Sequence, residues 1–355
     1  MKAWYVVIGF SILVVNPSLS QDIKQELHAS GIQSNEQSSR IMFYNVENLF
    51  FPADDTLKSD EDFTPTGQYY WTFSRYRKKL NNIARVIIAI GEWHVPVLIG
   101  LCEIEEQRVL QDLIYKTPLK TAQLNFIHTN SPDKRGIDVA LLYDQDKFEP
   151  MHYEAIEVSG AQVPDLITRD ILYVKGVLLN TDTLHVFVNH WPSRRGGKIE
   201  SQQRRILAAS ILKTKTDSIN NSEIMPNIVI MGDFNDEPDD TSILNILQAK
   251  GSPGSEVSLI NLMYPLKQRG EGTYSHIQNF KVWEMIDQII VSQNIFDACF
   301  NLDDSKNHVE IFRPDWLLDP ESFRPLRTYT GLKYSGGYSD HLPVFMDIQA
   351  FKSKK

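Results

Sequence analysis

Eight apolar runs of six to nine residues recur along this 355-residue chain, and they constrain its fold more than any other feature. They are RIMFYNV (40–46), VPVLIGL (95–101), GIDVALLY (136–143), ILYVKGVLL (171–179), LHVFVNH (184–190), NIVIMG (227–232), DQIIVS (287–292) and LPVFMDI (342–348). Runs of that length, rich in Val, Ile and Phe and bounded by turn residues, read as strands rather than helices. The segments 136–143, 148–158, 171–179 and 184–190 follow one another with no helical pattern between them, which predicts hairpins and antiparallel sheet. Helical periodicity appears in 74–91, where Leu80, Ile83, Ile87 and Ile90 make one stripe that stops at Gly91, and again in 199–213. Many strands with few helices predict an α+β chain of two sheets packed face to face with helices outside.

The first 20 residues carry Lys2, an apolar run from Ala3 to Val15 and small residues at Ser18 and Ser20, the pattern of a secretory signal peptide. The run is too short to span a bilayer comfortably. Residues 21–39 are polar and read as a flexible leader, and 40–350 as one domain; the expected location is secreted or periplasmic, without stable membrane insertion. Nothing in the chain implies a protein partner. Formal net charge is −9, or −10 once Lys2 is removed with the signal. That excludes a basic protein that coats nucleic acid, so any such contact is local. An exported chain with two cysteines, Cys102 and Cys299, holds either one disulfide or two buried thiols.

Several of the strands end in polar residues that share one kind of chemistry. FYNVEN places Asn45 and Glu47 two apart, on one face if extended, and LIGLCEIE ends on Glu103. HVFVNHW ends on Asn189 and His190, VIMGDFND on Asp233 and Asn235, DQIIVS opens with Asp287, and GYSDHLP sets Asp340 and His341 before the last strand. Any one of these is an ordinary turn residue. Together on one sheet edge they supply oxygens for a hard cation (Asn45, Glu103 and Asp340), a carboxylate and amide that hold and deprotonate a water (Asp233 and Asn235), and histidines with acid neighbours (His341 with Asp287, His190 with Asp138). Arg194, Arg195 and Lys198 follow His190 on a glycine-containing loop, where guanidinium forks suit phosphate oxygens. DFNDEP also has the alternating acids of a calcium loop, but Pro238 stands where that loop needs glycine.

Taken in order, FYNVENLF, GLCEIE, GIDVALLY, NHWPSRRGG, GDFND, WEMIDQIIVS and GYSDHLP resemble the endonuclease/exonuclease/phosphatase superfamily, most closely its deoxyribonuclease I-like nuclease branch. The resemblance implies a four-layered α/β/β/α sandwich of two packed mixed sheets. It also implies hydrolysis of phosphate esters with Mg²⁺ or Mn²⁺, Ca²⁺ being an alternative. By position, Asn45, Glu103 and Asp340 match the metal side. Asp233 and Asn235 match the water-activating pair, His341 with Asp287 the phosphate-binding histidine and its partner, and His190 the second histidine, with Asp138 as its acid. Glu47 matches a position that is acidic in some members. The stretch from 292 to 339 does not map onto the compact family core, and such a segment could shape substrate choice. The expected activity is an endonuclease on DNA or RNA, with nucleic acid as substrate; the alternative is hydrolysis of a small or lipid phosphate ester, such as an inositol phosphate or sphingomyelin.

Overall fold

A computed structural model describes residues 38–178, 183–254, 259–276, 282–300 and 309–349, so the expected signal peptide and most of the leader lie outside the described residues. The strands in chain order begin with β1 (Ser38–Leu49), β2 (Leu98–Ile104), β3 (Leu124–His128), β4 (Asp138–Asp144), β5 (Phe148–Ile156) and β6 (Ile171–Leu178). Next come β7 (Thr183–His190), β8 (Asn227–Asp233), β9 (Ala249–Lys250), β10 (Leu259–Asn261), β11 (Tyr274–Ser275) and β12 (Trp283–Glu284). The last are β13 (Asp287–Ser292), β14 (Val309–Ile311), β15 (Tyr329–Thr330), β16 (Lys333–Tyr334) and β17 (Val344–Gln349). Five α-helices are described: α1 (Phe73–Gly91), α2 (Gln107–Tyr115), α3 (Gln202–Ser222), α4 (Tyr264–Gln268) and α5 (Gln293–Cys299).

Two mixed sheets carry the fold, one of six strands in the order β14-β17-β1-β2-β4-β3 and one of seven in the order β5-β6-β7-β8-β13-β10-β9. Alternation along each strand decides which layer a residue joins. Ile41 and Phe43 of β1 enter the space between the sheets with Val229 and Met231 of β8 and Ile289 and Val291 of β13. Their neighbours Met42, Tyr44 and Val46 point the other way, under Leu80, Ile83 and Ile87 of α1. Ile228 and Ile230 of β8 likewise lie under Ala208, Ala209 and Leu212 of α3. Each such side chain, fully removed from water, contributes about 1.5–3 kcal/mol. The four layers, helix on sheet on sheet on helix, follow from that two-sided burial.

One expected pairing is different. β4 and β5, separated by only three residues, do not form a hairpin: β4 pairs with β2 and β3, whereas β5 starts the other sheet beside β6. Leu141 and Phe148 both reach the core between the sheets, so the connection crosses from one sheet to the other. β5, β6 and β7 do form the expected antiparallel succession. Cys102 and Cys299 are both buried and no disulfide joins them. Among the described residues no helix is long and apolar enough to cross a membrane.

The stretch that the sequence left unmapped begins with α5, and its described residues resume at 309. Residues 309–311 add the edge strand β14, paired with β17. Residues 312–339 pack against α1: the Arg85 guanidinium lies over the Trp316 ring at 4.3 Å and donates to the Tyr338 hydroxyl at 2.8 Å. Asn82 donates to the Gly337 carbonyl at 2.7 Å, and Arg75 lies over the Tyr334 ring at 4.3 Å.

Candidate active site

The polar strand ends meet at one end of the sandwich. β1 and β2 pair in parallel, as do β7 and β8, while β13 runs antiparallel to β8 with Asp287 opposite Asp233. Asn45, Glu103, His190, Asp233 and Asp287 are thereby brought to one edge, and Ser339 ties the loop before β17 to them by donating to the Asn45 carbonyl at 2.7 Å. The β1–β2 register slips after Asn45 and the β2–β4 register after Cys102. At these slips Glu47 (φ 53°), Asn48 (φ 52°) and Glu103 (φ 65°) take left-handed backbone conformations, and Asn235 does the same at φ 51°. Non-glycine residues adopt that region rarely and cluster in it at functional sites, where bulges re-aim side chains.

The side chains form a continuous polar network around Asp233. Asn45 donates its amide to Asp233 at 3.1 Å and toward Glu103 at 3.5 Å, and the Asn235 backbone N–H donates to the other Asp233 oxygen at 2.9 Å. His190 Nε2 lies 3.7 Å from Asp233 and 4.0 Å from Glu103. His341 bonds Asp287 through Nδ1 at 2.7 Å and turns Nε2 toward Asp233 and Asp340, each at 3.9 Å. Hydroxyls fix the second layer: Ser339 accepts the His341 backbone N–H and Thr273 accepts that of Asp287, both at 3.1 Å.

Burial and charge separate the two histidines. Burial lowers the pKa of His190 well below the ordinary histidine value, and Arg169 adds to that, so its imidazole is neutral. Burial acts in the same direction on His341, but Asp287, Asp340 and Asp233 outweigh it and hold it well above the ordinary value, as an imidazolium. Burial raises the Asp233 carboxyl, with Asp287 adding and His341 opposing. A buried carboxyl raised toward neutrality suits a group that accepts a proton.

The acidic corner suits a hard divalent cation. Glu103 and Asp340 supply carboxylate oxygens there. Asp340 Oδ2 is held by Arg327 at 2.7 Å, which leaves Oδ1 facing the site. Burial first, and then the Asp340 charge, push the Glu47 carboxyl upward, while Lys79, 3.7 Å away, opposes the rise. Carboxylate oxygens are the donors that suit Mg²⁺ or Mn²⁺. Asn45 turns its nitrogen to the carboxylates and its oxygen accepts the Glu47 N–H at 3.0 Å, which leaves that oxygen one lone pair beside Glu103 and Asp340, the carboxylates that would hold the ion. Asp233, Asp287 and His341 also bring ligand atoms within 4.8 Å of one another, but His341 Nδ1 is already bonded to Asp287, so this group is a paired base and acid.

Other expectations are corrected by the same contacts. Glu47 does not share the Asn45 face, because its left-handed backbone turns the side chain to the Thr328 N–H at 2.6 Å. Asp233 ends β8, but Asn235, two residues on, has a left-handed backbone and donates its side chain to the Trp191 carbonyl at 3.1 Å. Asp138 is not the partner seen for His190: it accepts from Ser131 and lies 3.4 Å from His128, while His190 Nδ1 makes no hydrogen bond. Arg194 is committed to bracing the loop after β8, donating to the Asn235 carbonyl at 2.5 Å and to Glu284 at 2.6 Å, with Asp240 at 3.6 Å. Arg195, next to it, is exposed on the rim of a cleft of about 520 Å³ that contains His190, Asp233 and His341.

Sequence reading missed Lys79, Thr328 and Arg327. Lys79 is 1% exposed on α1 and donates to the Thr328 hydroxyl and the Tyr338 carbonyl, each at 2.5 Å, thereby tying residues 312–339 to the acidic corner. The available signal was a lysine on the apolar side of an amphipathic helix, which a buried acid must explain. Gly232 shows why the strand before Asp233 ends in glycine: a Cβ there would lie 2.5 Å from the Asn189 carbonyl oxygen. Gly232→Ala is expected to destabilise the chain by about 1–3 kcal/mol, since overpacking against backbone has no cheap relief. A thermal melt checks this, at roughly 2–4 °C per kcal/mol; an unchanged Tm would show that the strands spread at no cost.

Residues 40–350 match the endonuclease/exonuclease/phosphatase family. Protein angel of Drosophila melanogaster is 26% identical over 236 residues, 62% of this chain; the chain spans 60% of the length of that relative. Among solved structures, D. rerio TDP2 complexed with a single-strand DNA product is similar with a TM-score of 0.52 at 13% identity, over 88% of this chain and 99% of that one. A mannosyl-6-phosphatase of Bacteroides thetaiotaomicron is similar with a TM-score of 0.52 at 16% identity, over 88% of this chain and 100% of that one. At those identities the two structures speak for the sandwich alone, whereas the sequence match runs through every strand end that meets at Asp233. The chain belongs to the endonuclease/exonuclease/phosphatase family.

Proposed function

We propose that the chain is a divalent-cation-dependent phosphodiesterase that cuts nucleic acid. The observation that carries the reading is the convergence of Asp233 with His190, the Asp287-paired His341, Glu103 and Asp340 in an open cleft, both histidines presenting Nε2 toward Asp233. Asp233 takes a proton from a water, which Asn235 helps to orient, as the water oxygen bonds to phosphorus and the ester P–O bond opposite it breaks, the leaving oxygen taking a proton from solvent. The His341 imidazolium, fixed by Asp287, faces the phosphoryl oxygens, where negative charge grows. Neutral His190 offers its Nε2 hydrogen to the same oxygens. Glu103 and Asp340 would hold a divalent cation, which would supply neutralisation of the charge that develops in the transition state.

Nucleic acid is favoured over a small ester by the shape and rim of the site. The cleft is open, and Arg135, Arg195 and Arg204 stand exposed along it. Cationic side chains along an open cleft suit a substrate with repeated phosphates. The test is a substrate panel with Mg²⁺ or Mn²⁺, with and without EDTA: plasmid DNA, RNA, an inositol phosphate, sphingomyelin and mannose 6-phosphate. Cleavage of DNA or RNA that EDTA abolishes is the expected result. Turnover of a small ester alone would replace the nucleic-acid reading, and activity that survives EDTA would remove the cation from it.

A further inference from the structure

Residues of the 312–339 segment, with Ser275 and Asp340, line a groove beside the catalytic cleft. It has a volume of about 310 Å³, and Asp340 lines both it and the catalytic cleft, so the groove begins where the cleft ends. Its other walls combine Pro325 and Leu326 with hydroxyls and guanidinium groups from Ser275, Ser322, Arg324, Arg327, Thr330 and Ser335. Ser275 is 3% exposed, and its hydroxyl makes no hydrogen bond. The residue before it, Tyr274, places its ring 5.0 Å from that of His341, so β11 links the groove directly to the phosphate-binding histidine.

Each acid in the groove has partners on one of its two oxygens. Asp319 accepts the backbone N–H groups of Glu321 and Ser322 and the Ser322 hydroxyl, and Asp340 accepts from Arg327. No aromatic side chain lines the groove, so it offers no face for a base to stack on. Arginine, serine and threonine are the side chains that hold the sugar–phosphate backbone. We infer that this groove takes the phosphate next to the scissile one in a polynucleotide strand, on the Asp340 side of the cut. The inference rests on the phosphodiesterase reading and deepens it. It gives the long segment before Ser339 a purpose: Lys79 ties it to the acidic corner, and its hydroxyls extend the site by one phosphate.

The experiment compares a dinucleotide, which has one phosphodiester, with a trinucleotide, which has two. The wild-type chain is expected to prefer the trinucleotide by about tenfold in kcat/KM, the worth of one charge-assisted contact. Arg324→Gln and the exposed Ser335→Glu should each bring that ratio close to one. Lys333→Ala, on the same hairpin but outside the groove, should keep it. In a His341→Ala background, binding of a fluorescein-labelled trinucleotide, followed by anisotropy against salt, should weaken about tenfold in Arg324→Gln. The salt slope should fall by about 0.7. A wild-type ratio near one, or equal trinucleotide binding with and without Arg324→Gln and Ser335→Glu, overturns the groove assignment. An equal loss in Lys333→Ala also overturns it, because general charge would then explain the effect. If the wild type cleaves neither oligonucleotide while the binding differences remain, the groove stands and the nucleolytic reading falls.

Discussion

Replacing Asp233 with asparagine is expected to lower kcat by about 10³-fold or more, with KM little changed and the fold intact. General-base catalysis is worth about 10²–10⁴-fold, and Asp233 is the carboxylate at the centre of the network. It sits beneath both histidines and accepts from Asn45 and from the Asn235 backbone. Asparagine has nearly the same shape and keeps an oxygen for the Asn235 N–H, but it loses the bond accepted from Asn45 and cannot take a proton. The fold should survive, because burial works against the Asp233 charge and removing that charge offsets the lost bond. Initial rates over a range of substrate concentrations, alongside a thermal melt, separate the two effects. A kcat within tenfold of wild type would remove Asp233 from proton transfer.

The second large effect belongs to the His341–Asp287 pair. His341→Ala is expected to lower kcat by about 10²–10³-fold, the usual loss when one preorganised donor to a developing oxyanion is removed. Asp287→Asn should fall in the same direction, because the imidazolium owes its charge to Asp287 and Asp340 against the opposing effect of burial. Asp287 is 0% exposed and reaches His341 at 2.7 Å, so it acts on substrate only through that ring. The double variant should therefore be no slower than His341→Ala alone. Full additivity of the two losses would mean that Asp287 has a separate task and that the pairing is incidental.

Several strand positions were legible because strand formation is a local matter. The run NIVIMG becomes β8, Asn227–Asp233, with alternate residues in two different cores, and DQIIVS becomes β13, Asp287–Ser292, without a shift of boundary. Period-two burial needs no knowledge of what lies across the sheet. The hairpin expected between 136–143 and 148–158 failed for the same reason. A three-residue link has the length of a hairpin loop, and only the packing of Phe148 beside Leu141 between the sheets decides that the chain changes layer.

At the site, residue type was readable and partner was not. Arg194 and Arg195 are adjacent and chemically identical, yet one is held by Glu284 and the Asn235 carbonyl while the other stands exposed on the rim. Glu47 was placed beside Asn45 by strand alternation, which a register slip and a φ of 53° cancel. Arg327 and Thr328 lay in a stretch with no family pattern to mark them, and their contacts with Asp340 and Glu47 appear only once the chain is folded.

The sequence by itself determined that apolar strands end in acids, amides and histidines suited to phosphate ester chemistry, because burial and donor type are properties of each residue and its near neighbours. The tertiary structure decided which of those ends meet. Asn45 reaches Asp233 across 188 residues of chain and His341 reaches Asp287 across 54. Contacts at such separations are set by sheet order, register slips and the docking of residues 312–339 on α1, and none of these is written in any short stretch of the chain.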